Sequence, residues 1–190
     1  MNTDVYILAG GKSSRFGQDK ARARYNGETL MQRVARACTP AAREVYAVVG
    51  PHQDYSDLGL QCLTEDPPHH GPLGGIVCAL EHAQAQGQEW ILVVACDLVQ
   101  LDVQWLTTLG LHARAPAQAV AYRDAHWHPL CALYHVSGLG AARKELIHGR
   151  RRVHRFLDEI DAVAVDPPHE GFHTAGVNTP RDLAHLKESP

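Results

Sequence analysis

The sequence predicts an α/β fold, a mainly parallel central sheet with helices on both faces. Three observations predict it. Short apolar runs alternate with stretches of helical apolar spacing along the chain. The most apolar run, Trp90–Ala95, is unbroken, as a strand covered on both faces would be. The first run, Val5–Leu8, empties into Gly10-Gly11 and then into cations and hydroxyls. That is where an open parallel sheet meets a ligand, beyond the carboxyl ends of its strands.

The elements follow in order. Val5–Leu8 is the first strand. Leu30, Met31, Val34, Ala37 and Cys38 fall on one helical face, and Thr29 with Gln32 is a capping-box pair at its start. Val45–Val49 is a second strand, stopped by Gly50-Pro51, and Gln61–Leu63 is a short third. Leu73, Ile76, Val77 and Leu80 return to helical spacing before Trp90–Ala95, and Val103–Leu111 is helical after it. Ala117–Tyr122 and Leu130–Tyr134 are strands flanking a polar turn at His126. Ala141–His148 and Val153–Glu159 are helices, and Ala162–Val165 is a last strand. The final helix has Thr179 as N-cap, Pro180 in first position, Asp182 in the first turn, and Leu183 and Leu186 on its apolar face.

Composition bounds the function. The 190 residues suit one domain, 1–190, with a full core. A net charge of -3 gives no basic field to recruit nucleic acid. No apolar run approaches the ~20 residues of a membrane span. The first residues, Met1 to Asp4, show no basic stretch followed by an apolar core, so a cytoplasmic protein is expected. The five cysteines include no Cys-x-x-Cys and read as buried free thiols. The 13 histidines are scattered, with no pair at zinc spacing, and read mostly as surface or turn residues.

The loop after the first strand carries Gly10, Gly11, Lys12, Ser13, Ser14, Arg15 and Lys20. Glycine lets the backbone approach, free N–H groups point at oxygen, and Lys and Arg supply charge, so the loop suits phosphate. It is not a P-loop, whose first glycine would fall at Tyr6, and its adjacent glycines fail the dinucleotide fingerprint. A plain turn would explain Gly10 and Gly11 but would not need Arg15, Gly17, Asp19 and Lys20 as well.

Two more features fall at strand ends. Asp97 stands at the lip of the central strand, suited to hold Mg²⁺ on phosphate oxygens. An Asp that merely turns the chain, or one that caps the helix starting near Val103, is the alternative. The segment Glu65 to Gly75 runs from the third strand into a helix. There, Gly71-Pro72-Leu73-Gly74-Gly75 makes a sharp turn whose free N–H groups suit a base, ribose or anion. Close helix packing is the plainer explanation of those glycines. Asp66 can accept hydrogen bonds from a purine edge. Arg150-Arg151-Arg152 with Arg155 is a solvated face or a receiver for an anionic tail on a second substrate.

Leu8-Ala9-Gly10-Gly11, Arg15, Gly17, Asp19-Lys20, Asn26-Gly27 and Leu30 resemble the signature of nucleotidyltransferases that handle the molybdenum cofactor. Gly71-Pro72-Leu73-x-Gly75, Cys96-Asp97 and Val177-Asn178-Thr179-Pro180-x-Asp182-Leu183 recur in that family in the same order. Gly10-Gly11, in place of Ala-Gly, is similar to its MobA-like guanylyltransferase branch. The resemblance implies a Rossmann-like sheet of the nucleotide-diphospho-sugar transferase type. It also implies transfer of GMP from GTP to the terminal phosphate of molybdopterin, with loss of pyrophosphate and with Mg²⁺ as cofactor.

The roles it implies are specific. Leu8 to Gly11 and Gly71 would line the nucleotide, Arg15 and Lys20 would meet its phosphates, and Asp66 would contact the guanine. Asp97 would hold the metal and Asn178 would sit on the side of the second substrate. Arg15, Lys20 and Asp97 are thus the catalytic candidates. Proteins of molybdenum cofactor biosynthesis, or chaperones of acceptor enzymes, are implied as partners for a labile product. The chain departs from the family pattern at Phe16, Arg22, Leu98-Val99-Gln100 and Gly176. A transferase using CTP or a sugar 1-phosphate, and a non-catalytic nucleotide-binding accessory protein, are the alternatives.

Overall fold

The computed structural model describes residues 3–10, 16–17, 19–66, 68, 70–168 and 176–188, with the backbone alone at 186–188. The elements are β1 (Thr3–Leu8), a hairpin of β2 (Arg24–Tyr25) and β3 (Glu28–Thr29), α1 (Leu30–Cys38), β4 (Ala42–Val49) and β5 (Gln61–Thr64). Then come α2 (Gly71–Ala85), β6 (Trp90–Ala95), α3 (Val103–Gly110), β7 (Ala119–Arg123) and β8 (Trp127–His135). The chain continues with α4 (Leu139–Ile147), α5 (Val153–Glu159), β9 (Ala162–Val165) and α6 (Pro180–Glu188).

Seven strands form the sheet in the order β5-β4-β1-β6-β8-β7-β9. β5, β4, β1 and β6 pair in parallel, while β8 runs antiparallel to both β6 and β7. The reversal has a local cause. Only residues 124–126 join β7 to β8, too few for the crossover a parallel pair needs. β7 and β9, which have α4 and α5 between them in the chain, are parallel again.

Alternation along each central strand divides the core. Val5, Ile7, Leu92 and Val94 face one side, where α1 brings Met31 and Val34 and α3 brings Leu106 and Leu109. Tyr6, Leu8, Ile91 and Val93 face the other, against Ile76 and Leu80 of α2, Leu139 of α4 and Phe156 of α5. Strands covered on both faces favour apolar residues throughout, which is why Val5–Leu8 of β1 and the whole of β6 read as unbroken runs. Each fully buried aliphatic side chain contributes roughly 1.5–3 kcal/mol. A third, smaller cluster of Phe16, Leu30, Val99, Val177 and Leu183 includes the last helix. At the start of β1, the fully buried Asp4 accepts two hydrogen bonds from Arg43 (2.8 and 2.7 Å). All five cysteines are free, three buried and two half-buried. Among the described residues no helix is long and apolar enough to cross a membrane.

Candidate active site

A cleft of about 310 Å³ opens at the carboxyl ends of β5, β4, β1 and β6. The parallel ladder runs one residue past each strand. Ala9 N donates to Val48 O (2.9 Å), Glu65 N to Val49 O (3.0 Å) and Cys96 N to Leu8 O (3.2 Å). These bonds hold Ala9, Glu65 and Cys96 in register across the mouth, and Asp97 follows directly.

Lys20 reaches the cleft from a loop that is tied down locally. Asp19 Oδ1 accepts from Ala21 N (3.0 Å), capping a single turn at Lys20–Arg22. The Asp19 carboxylate also accepts from the hydroxyl of buried Tyr55 (3.0 Å). Burial, and then the Asp19 charge, push the Tyr55 phenol well above its ordinary range. With that anchor in place, Lys20 Nζ donates to Asp97 Oδ2 at 2.5 Å.

Asp97 does not cap α3. Asp102 does, accepting from Gln104 N at 2.8 Å, which leaves the Asp97 carboxylate to the cleft. Its main-chain oxygen takes the N–H of Val177 (3.3 Å), drawing in the segment before α6. Gly176 lies so close that a Cβ there would overlap the Asp97 carboxylate. Asn178 lines the cleft and its side-chain amide donates to Gly176 O (2.9 Å). Asp182 accepts from Asn178 N (2.9 Å) and Thr179 N (2.8 Å), and Thr179 Oγ1 accepts from Asp182 N (3.1 Å), so α6 fixes this segment.

The opposite flank belongs to α2. Gly71, at φ +68°, makes the turn into the helix. Gly75 brings the helix against Leu8, where a Cβ would stand 3.1 Å from the leucine side chain. A Cβ at Gly74 would overlap the Glu65 carboxylate, so this glycine makes the room that Glu65 fills. Glu65 is buried, lines the cleft and accepts His70 N at 2.9 Å.

The model of the MobA-like NTP transferase domain matches residues 5–163. The chain belongs to the MobA-like NTP transferase family. It is 34% identical over 182 residues to a probable molybdenum cofactor guanylyltransferase of Opitutus terrae, covering 93% of this chain and 90% of that one. It is also 34% identical to one of Synechococcus elongatus, over the whole of both chains. Among solved structures, it resembles molybdopterin-guanine dinucleotide biosynthesis protein A of Archaeoglobus fulgidus, with TM-score 0.80 and 21% identity. That match covers 98% of this chain and 97% of the other. A CMP:2-keto-3-deoxy-manno-octonic acid synthetase complexed with CTP matches with TM-score 0.72 and 13% identity, covering 99% and 98%. These two likenesses show the fold, that of the nucleotide-diphospho-sugar transferases.

Of the residues singled out in the sequence, Leu8, Ala9, Gly10, Lys20, Gly71, Asp97 and Asn178 all line this cleft. Gly11 and Arg15 lie outside the described residues, as do Lys12, Ser13 and Ser14. Asp66 is exposed and does not line the cleft. Its neighbour Glu65 does, and sequence reasoning passed it over. The signal available was the pair of glycines at Gly74-Gly75, which make space on the helix face that meets it. Among the described residues no three His, Cys, Asp or Glu converge as a metal cage. A single carboxylate at the cleft, Asp97, instead fits Mg²⁺, which takes one or two carboxylates and completes its shell with substrate oxygens and water.

Proposed function

We propose that this nucleotidyltransferase moves GMP from GTP to the terminal phosphate of molybdopterin, releasing pyrophosphate. The observation that carries this reading is the 34% identity, across nearly the whole chain, to relatives named molybdenum cofactor guanylyltransferase. The order of groups along the sheet supports it. Glu65 stands at the β5 end, Gly10 beyond β1, Lys20 and Asp97 beyond β6, and Asn178 beside them. A nucleotide laid along that line has its base near Glu65 and its phosphates at the Lys20–Asp97 pair. Guanine offers a ring N–H and an amino group side by side, and a carboxylate accepts both. Cytosine and adenine present a bare ring nitrogen at that edge.

Transfer forms a bond between an acceptor phosphate oxygen and the α-phosphorus of GTP. The bond from that phosphorus to the bridging oxygen breaks, and its electron pair leaves with pyrophosphate. The acceptor phosphate is already ionised and needs no general base. The work is positioning and charge neutralisation. Lys20 meets the negative charge on the transferred group, and Arg15 is assigned the same task. Asp97 would hold Mg²⁺ against the phosphates, and that ion, when bound, supplies further neutralisation of their oxygens. In this reading the protein works in the cytoplasm and hands a labile product to other proteins of molybdenum cofactor biosynthesis.

The test is turnover of a panel of nucleoside triphosphates with molybdopterin and Mg²⁺. GTP should be used, and use of CTP in its place would overturn the reading. Glu65→Gln should raise KM for GTP at least tenfold, while Asp66→Asn should stay within twofold. The reverse pattern would return the base contact to Asp66.

A further inference from the structure

Lys20 stands between two residues, Asp19 and Arg22, that both bind the loop joining β4 to β5. Asp19 takes the hydroxyl of buried Tyr55. Arg22 forks onto Asp57, its two terminal nitrogens donating to Oδ2 at 2.9 Å and to Oδ1 at 2.8 Å. The same guanidinium donates to Asp54 O (2.7 Å) and lies over the Tyr55 ring, 5.3 Å from its centroid. The Arg22 hydrogen bonds hold the Asp57 carboxyl below the ordinary carboxylate range.

The receiving loop is itself well tied. The Asp54 carboxylate accepts from Ser56 N (3.0 Å) and Ser56 Oγ (2.7 Å). Leu58 N donates to Tyr55 O (2.9 Å) and Gly59 N to Ser56 O (3.0 Å), closing a single turn. Gln53 joins the loop to the mouth of the cleft. Its side-chain amide donates to Ala9 O and to the Tyr55 hydroxyl, both at 3.3 Å, while its Oε1 accepts Gly50 N at 3.0 Å. In sequence Ala9 precedes the glycine loop and Asp19 follows it, so one loop holds the chain on both sides of those glycines.

Stability alone does not account for the Arg22 contact. The Arg22 and Asp57 side chains are 42% and 59% exposed, and an ion pair that open to water contributes little to folding. A two-pronged guanidinium–carboxylate contact does fix orientation. Here it orients the turn whose first residue is Lys20, and from that turn a flexible stem must carry Nζ to Asp97. Arg22 is also a position where the chain departs from its family's pattern.

We propose that Arg22, acting with Asp57 and Tyr55, is a positioning residue for nucleotidyl transfer, holding the turn from which Lys20 meets the transferred phosphoryl group. None of the three lines the cleft. The role rests on the task given to Lys20 above, and it goes further by naming what aims that lysine.

The test combines amide hydrogen exchange, followed by NMR, with turnover. Arg22→Leu removes the fork and leaves an apolar side chain in its place. Arg22→Lys keeps the charge without the fork. Tyr55→Phe removes only the hydroxyl. Exchange is read at Ala21, whose N–H donates to Asp19, with β1 and β6 as the core reference. Arg22→Leu and Tyr55→Phe should each speed exchange at Ala21 about tenfold while the core strands stay within twofold. Each should lower kcat about tenfold with KM for GTP within twofold. Arg22→Lys should stay within threefold of Arg22→Leu in kcat, since a point charge does not replace a planar fork. If Tyr55→Phe loosens the core as well, the surface variant Arg22→Leu decides. Unchanged exchange at Ala21 in Arg22→Leu overturns the clamp, and so does full recovery of kcat by Arg22→Lys. Faster exchange with kcat unchanged overturns the positioning role and leaves the transferase reading standing. Wild-type use of CTP in place of GTP overturns that reading, and kcat of the variants with CTP then decides the role of Arg22.

Discussion

Asp97 and Lys20 neutralise each other at 2.5 Å, at the point where phosphate and cation are expected to enter. Both side chains are largely shielded, at 14% and 19% exposure, so charge there is felt more strongly than in open water. Asp97→Asn keeps the shape and removes the charge. Turnover should fall by about 10²–10³-fold, the loss typical of removing one electrostatic contact from a transition state. Mg²⁺ should also cease to strengthen GTP binding. A Mg²⁺ titration of GTP affinity checks this, and an unchanged Mg²⁺ dependence would refute the metal role of Asp97. Burial, and then the Asp97 charge, push the thiol of the neighbouring Cys96 up to about 12, which favours its protonated form at neutral pH. Asp97 and Lys20 were legible in the sequence because each stands beside a strong local signal, an apolar strand or a glycine loop. Glu65 was not, since its place in the cleft depends on Gly74 of a packed helix.

At the level of single elements, caps and turns carried the most information. Thr29 accepts Gln32 N (3.1 Å) while Gln32 Oε1 accepts Thr29 N (3.2 Å), the reciprocal box that the spacing predicted. Thr29→Ala should cost about 1 kcal/mol in urea unfolding with an unchanged slope, and should leave KM for GTP within twofold. A loss below a few tenths would mean that packing alone holds α1. The helix matters to the site because Arg33 Nε donates to Val99 O (2.6 Å), pinning the loop after Asp97. That loop departs from the family pattern at Leu98-Val99-Gln100, yet Leu98 and Val99 are buried, so apolar anchoring sets its path. The β2–β3 hairpin went unpredicted because two-residue strands have no period to read. Its signal was the turn itself, with Asn26 at φ 50° and Gly27 at φ 83°. Apolar runs marked β7 and β8 but carry no direction. Only the three-residue connection between them does.

Across the whole molecule, the cleft joins parts of the chain that are far apart in sequence. Gly10 and Lys20 come from the first loop, Glu65 and Gly71 from the middle, and Asn178 from the segment before α6. Nothing local in the sequence shows that convergence. It follows from a parallel sheet, which puts every strand's carboxyl end on the same edge. A ligand bridging those parts binds the folded chain and not the unfolded one, so it must raise the stability of the whole. At 100 times its Kd a nucleotide adds about 2.7 kcal/mol. For a chain of this size that corresponds to roughly 5–11 °C in Tm. GTP with Mg²⁺ should produce such a rise and CTP a much smaller one. Asp97→Asn should keep the part of the rise that GTP gives without Mg²⁺ and lose the part that Mg²⁺ adds. If GTP with Mg²⁺ left Tm unchanged while CTP raised it, both the base preference and the role of Glu65 would be wrong. If GTP raised Tm equally with and without Mg²⁺, the base would stand and the metal would fall. The melting curve thus tests the two ends of the cleft separately, because each end contributes through a different ligand group.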